Sequence, residues 1–244
     1  MSSCELSGNH NGRLDRALQL LDAAAATGAD AIKIQTYTAD TITIDHDAPE
    51  FRIDGGLWAG RTLYGLYGEA HTPYEWHARL FERSHELGVT LFSSPFDESA
   101  TDLLDDLRAP AFKIASFEAI DLPLIGHVAR KGKPMIISTG MASFEEIGEA
   151  VQTARDNGCD QLVLLHCVSS YPAPDEDSNV RTVPDLAEAF GVVSGLSDHT
   201  FGSAVAVAST RSADRWWRST SPSGAPTADR MRRSASSPTS SRRW

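Results

Sequence analysis

Seven short apolar runs punctuate residues 4–195, and one helical segment separates each from the next. The runs are Cys4–Leu6, Ala31–Gln35, Val89–Ser93, Ala111–Ile114, Met135–Ser138, Leu162–Leu165 and Val192–Gly195. Their length and bounding turn residues mark them as strands. Between them, apolar residues return with a 3.6-residue period over Arg13–Thr27, Tyr74–Leu87, Glu98–Leu107, Leu122–Arg130, Phe144–Asn157 and Pro184–Phe190. Gly28 and Gly88 are placed to cap the first two helices. Ser143 with Glu146 forms a capping box for the fifth. The stretch after Gln35 reads as a long loop running through Pro73. Strands joined by single helices pair in parallel through right-handed crossovers. Seven such repeats point to a (β/α)8 TIM barrel, truncated after strand seven, more than to an open doubly wound sheet. No G-x-G-x-x-G or Walker A motif follows any strand, which weakens a nucleotide-binding reading.

The composition breaks near residue 210. Residues 210–244 hold nine Ser and eight Arg, no Lys and no aliphatic residue beyond Ala and one Met, for a charge of +6. Residues 1–209 carry 14 Lys+Arg against 31 Asp+Glu, or −17. The expected division is therefore a barrel domain over 1–209, incomplete, and a disordered tail over 210–244, which cannot bury enough surface to offset its ordering entropy. The net charge of −11 argues against nucleic-acid binding. No run of about 18 apolar residues is present, so no membrane span is expected. The first ten residues lack a basic and an apolar region of secretory type. Cys4, Cys159 and Cys167 have no metal-type spacing and read as reduced thiols of a cytoplasmic protein.

In a barrel of this kind the chemistry sits at the C-terminal strand ends. Taken in order, those ends carry Glu5; Lys33 and Gln35; Ser93 and Ser94; Lys113 with Ser116 and Glu118; Ser138 and Thr139; His166 and Ser169; and Ser197, Asp198 and His199. A lone lysine near a strand end is ordinarily a salt-bridged scaffold residue. Residues 1–209 hold only four lysines, however, and two of them, Lys33 and Lys113, lie inside apolar strands. A buried lysine needs a partner, and with hydroxyls at almost every neighbouring strand end that partner reads as a small anion. His199 could serve as a metal ligand or as an ordinary hydrogen-bonded ring, and His166 as core. Arg13 and Asp15 read as a solvated helix start. Trp58, Tyr64 and Tyr67 read as loop packing.

The strand-end motifs ELSGNHNG (5–12), KIQTY (33–37), FSSPFD (92–97), KIASFE (113–118), ISTGMA (137–142), LHCVSSYPAP (165–174) and GLSDHT (195–200) together resemble the sialic acid synthase family. They cover essentially all of 5–208 in family order. Within that family, SGNHNG, IKIQTYTADTIT, LWAGRTLYGLYGEAHTPYEWH and KIASFEAIDLPLI resemble the pseudaminic acid synthase branch most. The resemblance implies condensation of phosphoenolpyruvate with a 2,4-diacetamido-2,4,6-trideoxy hexose to a nonulosonic acid plus phosphate. It implies Lys33, Ser94, Lys113, Ser116, Ser169 and Ser197 around the phosphate and carboxylate. Glu5, Gln35, Glu118 and Tyr171 would face the sugar or assist proton transfer, with Glu5, Glu118 and Lys113 as the catalytic set. It also implies a divalent cation, Mn2+ or Mg2+, with His199 as one of two histidine ligands.

The sequence departs from the family pattern at its C-terminal end. The second metal histidine, which the family carries at strand eight in a motif like VVEKHFTL, is missing. The small antifreeze-like domain, which completes the partner's site in the family's homodimer, is missing too. One expectation accounts for both. Trp216–Ser221 can be encoded TGG TGG AGA AGC ACT TCA, and dropping two bases turns this into codons for Val-Glu-Lys-His-Phe. The tail is then out of frame, with the break near Ser209–Arg211. On this reading strands one and seven are left as unpaired edges, and the chain is poorly soluble and impaired as an enzyme. Alternatives within the class are an N-acetylneuraminate or legionaminate synthase. Outside it stand a Schiff-base aldolase using Lys33 or Lys113, and an inactive fragment.

Overall fold

The computed structural model describes residues 1–8, 10–55, 58–212 and 216–219, the last four by their backbone. Its centre is a ring of parallel strands. These are β1 (Ser2–Glu5), β2 (Ala31–Thr36), β3 (Thr90–Pro95), β4 (Phe112–Ile114), β5 (Met135–Ser138), β6 (Leu162–Cys167), β7 (Val193–Asp198) and β8 (Trp216–Ser219). The helices around it are α1 (Leu14–Ala25), α2 (Ala39–Ile42), α3 (Leu63–Ala70), α4 (Tyr74–Leu87), α5 (Glu98–Asp106), α6 (Leu122–Ala129), α7 (Phe144–Asp156), α8 (Thr182–Phe190) and α9 (Ala204–Ser212). The barrel and its first seven strands are those expected.

Period-2 alternation divides the strand residues between two apolar sets. Ile32, Ile34, Leu91, Ile114, Met135, Ile137 and Leu164 face outward and join buried helix residues such as Leu21, Leu80, Leu104, Ile125 and Val151 in the main core. Ala31, Phe92, Ile136 and Leu165 form a second, smaller cluster that fills the barrel interior. The next inward positions toward the strand C-termini are Lys33, Ser94, Lys113, Ser138 and Cys167, all buried. An apolar plug therefore lies beneath a polar mouth.

Local signals behave as expected at α7. The Ser143 hydroxyl accepts from the Glu146 backbone N–H at 3.2 Å, and the Glu146 carboxylate accepts from the Ser143 N–H at 2.7 Å. Gly88 ends α4 with φ +67, a left-handed cap that glycine adopts without steric cost.

Three expectations need correction. The stretch after β2 is no featureless loop. It contains α2, a 3-10 turn over Pro49–Phe51, and α3, and its Tyr37 and Tyr67 rings meet edge to face at 6.0 Å. Helix α9, whose Ala-Val-Ala-Val-Ala start carries no helical period, follows β7. Finally, the barrel does not stop at strand seven. Trp216–Ser219 runs parallel between its neighbours, Trp217 opposite Leu196 on β7 and Ser2 on β1, and closes the ring. The edges of β1 and β7 each present a row of backbone donors and acceptors, and an extended segment satisfies both rows whatever its side chains. The disorder expected for 210–244 falls from Thr220 onward outside the described residues.

Candidate active site

Register brings the first charged pair together. Glu5 ends β1 directly opposite Lys33 on β2, and the Lys33 ammonium lies 2.7 Å from the Glu5 carboxylate. The Ser7 hydroxyl donates to the same carboxylate at 2.9 Å, and Lys33 also reaches the Ser94 hydroxyl at 3.3 Å. Gln35 lies opposite Ser94 in the β2–β3 ladder. Burial pulls Lys33 down to about 7, against the upward pull of Glu118. The Glu5 contact acts in the upward direction too, so Lys33 holds its proton as half of a buried ion pair.

Lys113 differs. It is 3% exposed and forms no ion pair with any described residue. Its ammonium has the Ile114 carbonyl at 3.4 Å. Burial brings it to about 7, and the Lys33 charge adds to the lowering while Cys167 and Glu118 oppose it. Glu118 sits on the 3-10 turn Phe117–Ile120 that follows Ser116. Its Oε2 is buried without a hydrogen-bond partner, and burial raises its carboxyl above the ordinary range. The Ser138 hydroxyl at the end of β5 is likewise buried and unpartnered. Ser197, next to last in β7, lies opposite Cys167. These strands thus gather two ammonium groups, two carboxyls and several hydroxyls at one end of the ring, the end where the sequence reading placed the site.

The sixth and seventh strands build a second group. The Asp198 carboxylate accepts from the Thr200 N–H and hydroxyl at 2.9 and 2.8 Å, a turn that fixes His199 between them. The Ala173 N–H donates to the His199 carbonyl at 3.0 Å, tying the loop after β6 to it. A carbonyl can only accept, so the bond of His199 Nδ1 to Val168 O at 3.0 Å puts the proton on Nδ1 and leaves Nε2 as the acceptor facing the Tyr171 hydroxyl at 3.2 Å. The two rings lie 4.2 Å apart and 33° from parallel.

The donor set at His199 does not amount to a divalent-cation site. Among the described residues no three His, Cys, Asp or Glu side chains converge as ligands. One imidazole nitrogen and a phenol leave most of a cation's coordination shell to other groups.

His166 is a scaffold residue, its Nε2 bonded to the Ser178 carbonyl at 2.9 Å. Arg13 and Asp15 pair with each other in solvent. Tyr64 donates to Asp40 at 2.9 Å, joining α3 to α2. The residue that sequence reasoning passed over is Cys167. Burial pushes its thiol up, yet His199, Ser116 and Lys113 outweigh that and bring it down to about 7. Its inward position on β6 could have been read from the same alternation that picked out Lys33.

Comparison with known proteins gives the family. The family model described as NeuB matches residues 20–213. The chain belongs to the NeuB family. It is 46% identical over 198 residues to the pseudaminic acid synthase of Campylobacter jejuni, covering 81% of this chain and 58% of that protein. It is 37% identical over 211 residues to the N,N'-diacetyllegionaminic acid synthase of Legionella pneumophila, covering 81% and 57%. Against the crystal structure of the N-acetylneuraminic acid synthetase of Leptospira borgpetersenii the TM-score is 0.82 at 28% identity, with 96% of this chain and 77% of that one covered. The chain thus spans less than two thirds of the two curated relatives. No helix among its described residues is long and apolar enough to cross a membrane.

Proposed function

We propose that this barrel condenses phosphoenolpyruvate with a 2,4-diacetamido-2,4,6-trideoxy hexose, as a pseudaminic acid synthase does. The supporting observation is Lys113. A buried ammonium with no ion-pair contact costs several kcal/mol, and among the described residues the fold keeps one beside a second ammonium and a set of hydroxyls, with Glu118 and Cys167 only partly offsetting it. A small dianion offsets that cost. The identity gradient, 46% to a pseudaminic and 37% to a legionaminic acid synthase, favours the first sugar.

In this proposal Lys113 and Lys33, with Ser94, Ser116, Ser169 and Ser197, hold phosphate and carboxylate. Gln35 and Tyr171 position the sugar. C3 of phosphoenolpyruvate attacks the aldehyde carbon of the open-chain sugar. Glu118, whose carboxyl burial raises above its ordinary range, serves as the acid that gives a proton to the aldehyde oxygen as that oxygen gains charge. Water adds at C2 and loses a proton to the Glu118 carboxylate so formed, or to Glu5. The resulting tetrahedral centre expels phosphate by C–O cleavage.

Phosphate release tests the proposal with the three acetamido sugars of the pseudaminic, legionaminic and neuraminic series, each with phosphoenolpyruvate. Fast release with the first alone is expected. Release with another sugar reassigns the branch, and release with none removes the activity. Lys113 also favours one second reading, because a buried amine near 7 is the nucleophile of a Schiff-base aldolase. Borohydride with pyruvate labels such a lysine and leaves a synthase unlabelled.

The proposal includes the shifted frame. Its support is positional: Val-Glu-Lys-His, written in the shifted frame, overlies the stretch that pairs between β7 and β1. Sequencing the gene across codons 200–245 is expected to find a base gained or lost near codons 209–211. An unbroken reading as given overturns it.

A further inference from the structure

Three strand ends meet at Gly140. The residue follows β5, between Ser116 beyond β4 and the Cys167–Ser169 end of β6. A Cβ placed on it would lie 2.4 Å from Ser169 Oγ, 2.8 Å from the Cys167 carbonyl oxygen and 3.0 Å from Ser116 Oγ. Among the glycines described, no other meets so many atoms so closely. Its φ lies outside the left-handed region, so the backbone is open to any residue and space alone calls for glycine. Rotation about one bond could move the Ser169 hydroxyl away. The Cys167 carbonyl cannot follow, because Cys167 is held opposite Ser197 in the β6–β7 ladder. Cys167 also links the two serines, with its thiol 3.9 Å from the Ser169 hydroxyl and hydrogen-bonded to the Ser116 side chain.

We infer that Gly140 is a positioning residue of the anion site: the space left by its absent side chain is where the Ser116 and Ser169 hydroxyls converge. Both oxygens lie within 3.0 Å of one point. A methyl at that point would displace the two hydroxyls from a phosphate or carboxylate group that accepts from both in the open mouth. The inference rests on the anion reading of the mouth, and it adds a requirement that no polar side chain supplies.

Calorimetric titration of the full chain with inorganic phosphate and with phosphoenolpyruvate tests it. In Gly140→Ala the Kd for both ligands is expected to rise about tenfold, the equivalent of one lost charge-assisted hydrogen bond. The KM for phosphoenolpyruvate follows, with the KM for the sugar unmoved. Ser169→Gly removes the nearest atom, so adding Gly140→Ala to it is expected to weaken binding far less than the sum of the single effects. Should Gly140→Ala fail to fold, Ser116→Ala and Ser169→Ala, which leave Gly140 and the Cys167 carbonyl untouched, are each expected to raise both Kd values. Unchanged phosphate affinity in Gly140→Ala, strict additivity of the two changes, or unchanged phosphate affinity in both serine variants each overturns the positioning role. A wild-type chain that binds phosphate but condenses no sugar removes the proposed function alone. One that binds neither anion removes both.

Discussion

Lys33 and Lys113 look alike in the sequence and differ in what faces them. Lys33 has Glu5 at 2.7 Å, whereas among the described residues no carboxylate makes an ion pair with Lys113, and Glu118 acts on it only at longer range. Replacing each by Met should therefore act in opposite directions. Lys113→Met removes this only partly offset charge and is expected to stabilise by about 2 kcal/mol, while abolishing phosphate binding. Lys33→Met strands the Glu5 carboxylate in the interior and is expected to cost about 3–5 kcal/mol. Denaturant titration of the two variants checks the signs. Lys113 also has a pH signature. Its folded value of about 7 lies below its unfolded value of 10.5, so the unfolded chain holds more protons between the two. Its contribution to stability therefore rises with pH across that window. Affinity for a dianion does the reverse and falls by up to about tenfold per pH unit above 7, as the ammonium is lost. Lys113→Met should flatten both slopes. At His199 a single nitrogen donor predicts Mn2+ binding no tighter than about millimolar, since structural and catalytic sites recruit three or more protein ligands. A micromolar titration end-point would show that further ligands come from outside the described residues.

At the scale of elements, the strands and their polar ends were legible because two periodicities do different work. Period 2 separates an inward Lys33 from an outward Ile34, and period 3.6 marks the helices that cover the outward set. The capping box at Ser143 was legible for a similar reason, its bonds being local. Ser143→Ala is expected to cost about 1 kcal/mol, measurable as a small fall in thermal midpoint with activity intact. What stayed hidden depends on partners far away in sequence. The helices α2 and α3 lack a long period of their own. Gly140 shows its meaning only when β4 and β6 are brought alongside β5. Strand β8 lies in a stretch of Arg/Ser-rich composition, and its place between β7 and β1 shows only when those distant strands are brought together. Arg218→Pro tests that strand. It deletes the N–H of the residue opposite Ser3 on one side and Ser197 on the other, and should cost about 3 kcal/mol and expose β1 or β7 to aggregation. Light scattering and thermal midpoint unchanged in this variant would show that 216–219 does not hold the ring shut.

At the scale of the whole molecule, the interior is layered from apolar to charged along one axis. Ala31, Phe92, Ile136 and Leu165 fill the barrel beneath Lys33 and Lys113. The plug keeps water from the ammonium groups on one side, so only the open mouth can supply their counter-charge. Stability is drawn from the helix-facing core, and the chemistry from the opposite face of the same strands. The two can change with some independence, which is why fold and site were readable from the same residues by different signals. The closing strand carries that independence furthest. A ring joined by main-chain bonds is indifferent to the letters written in its last segment. Inheritance can therefore vary those letters while the vessel still shuts. Shape and work are then inherited under separate constraints, and each is tested by its own measurement.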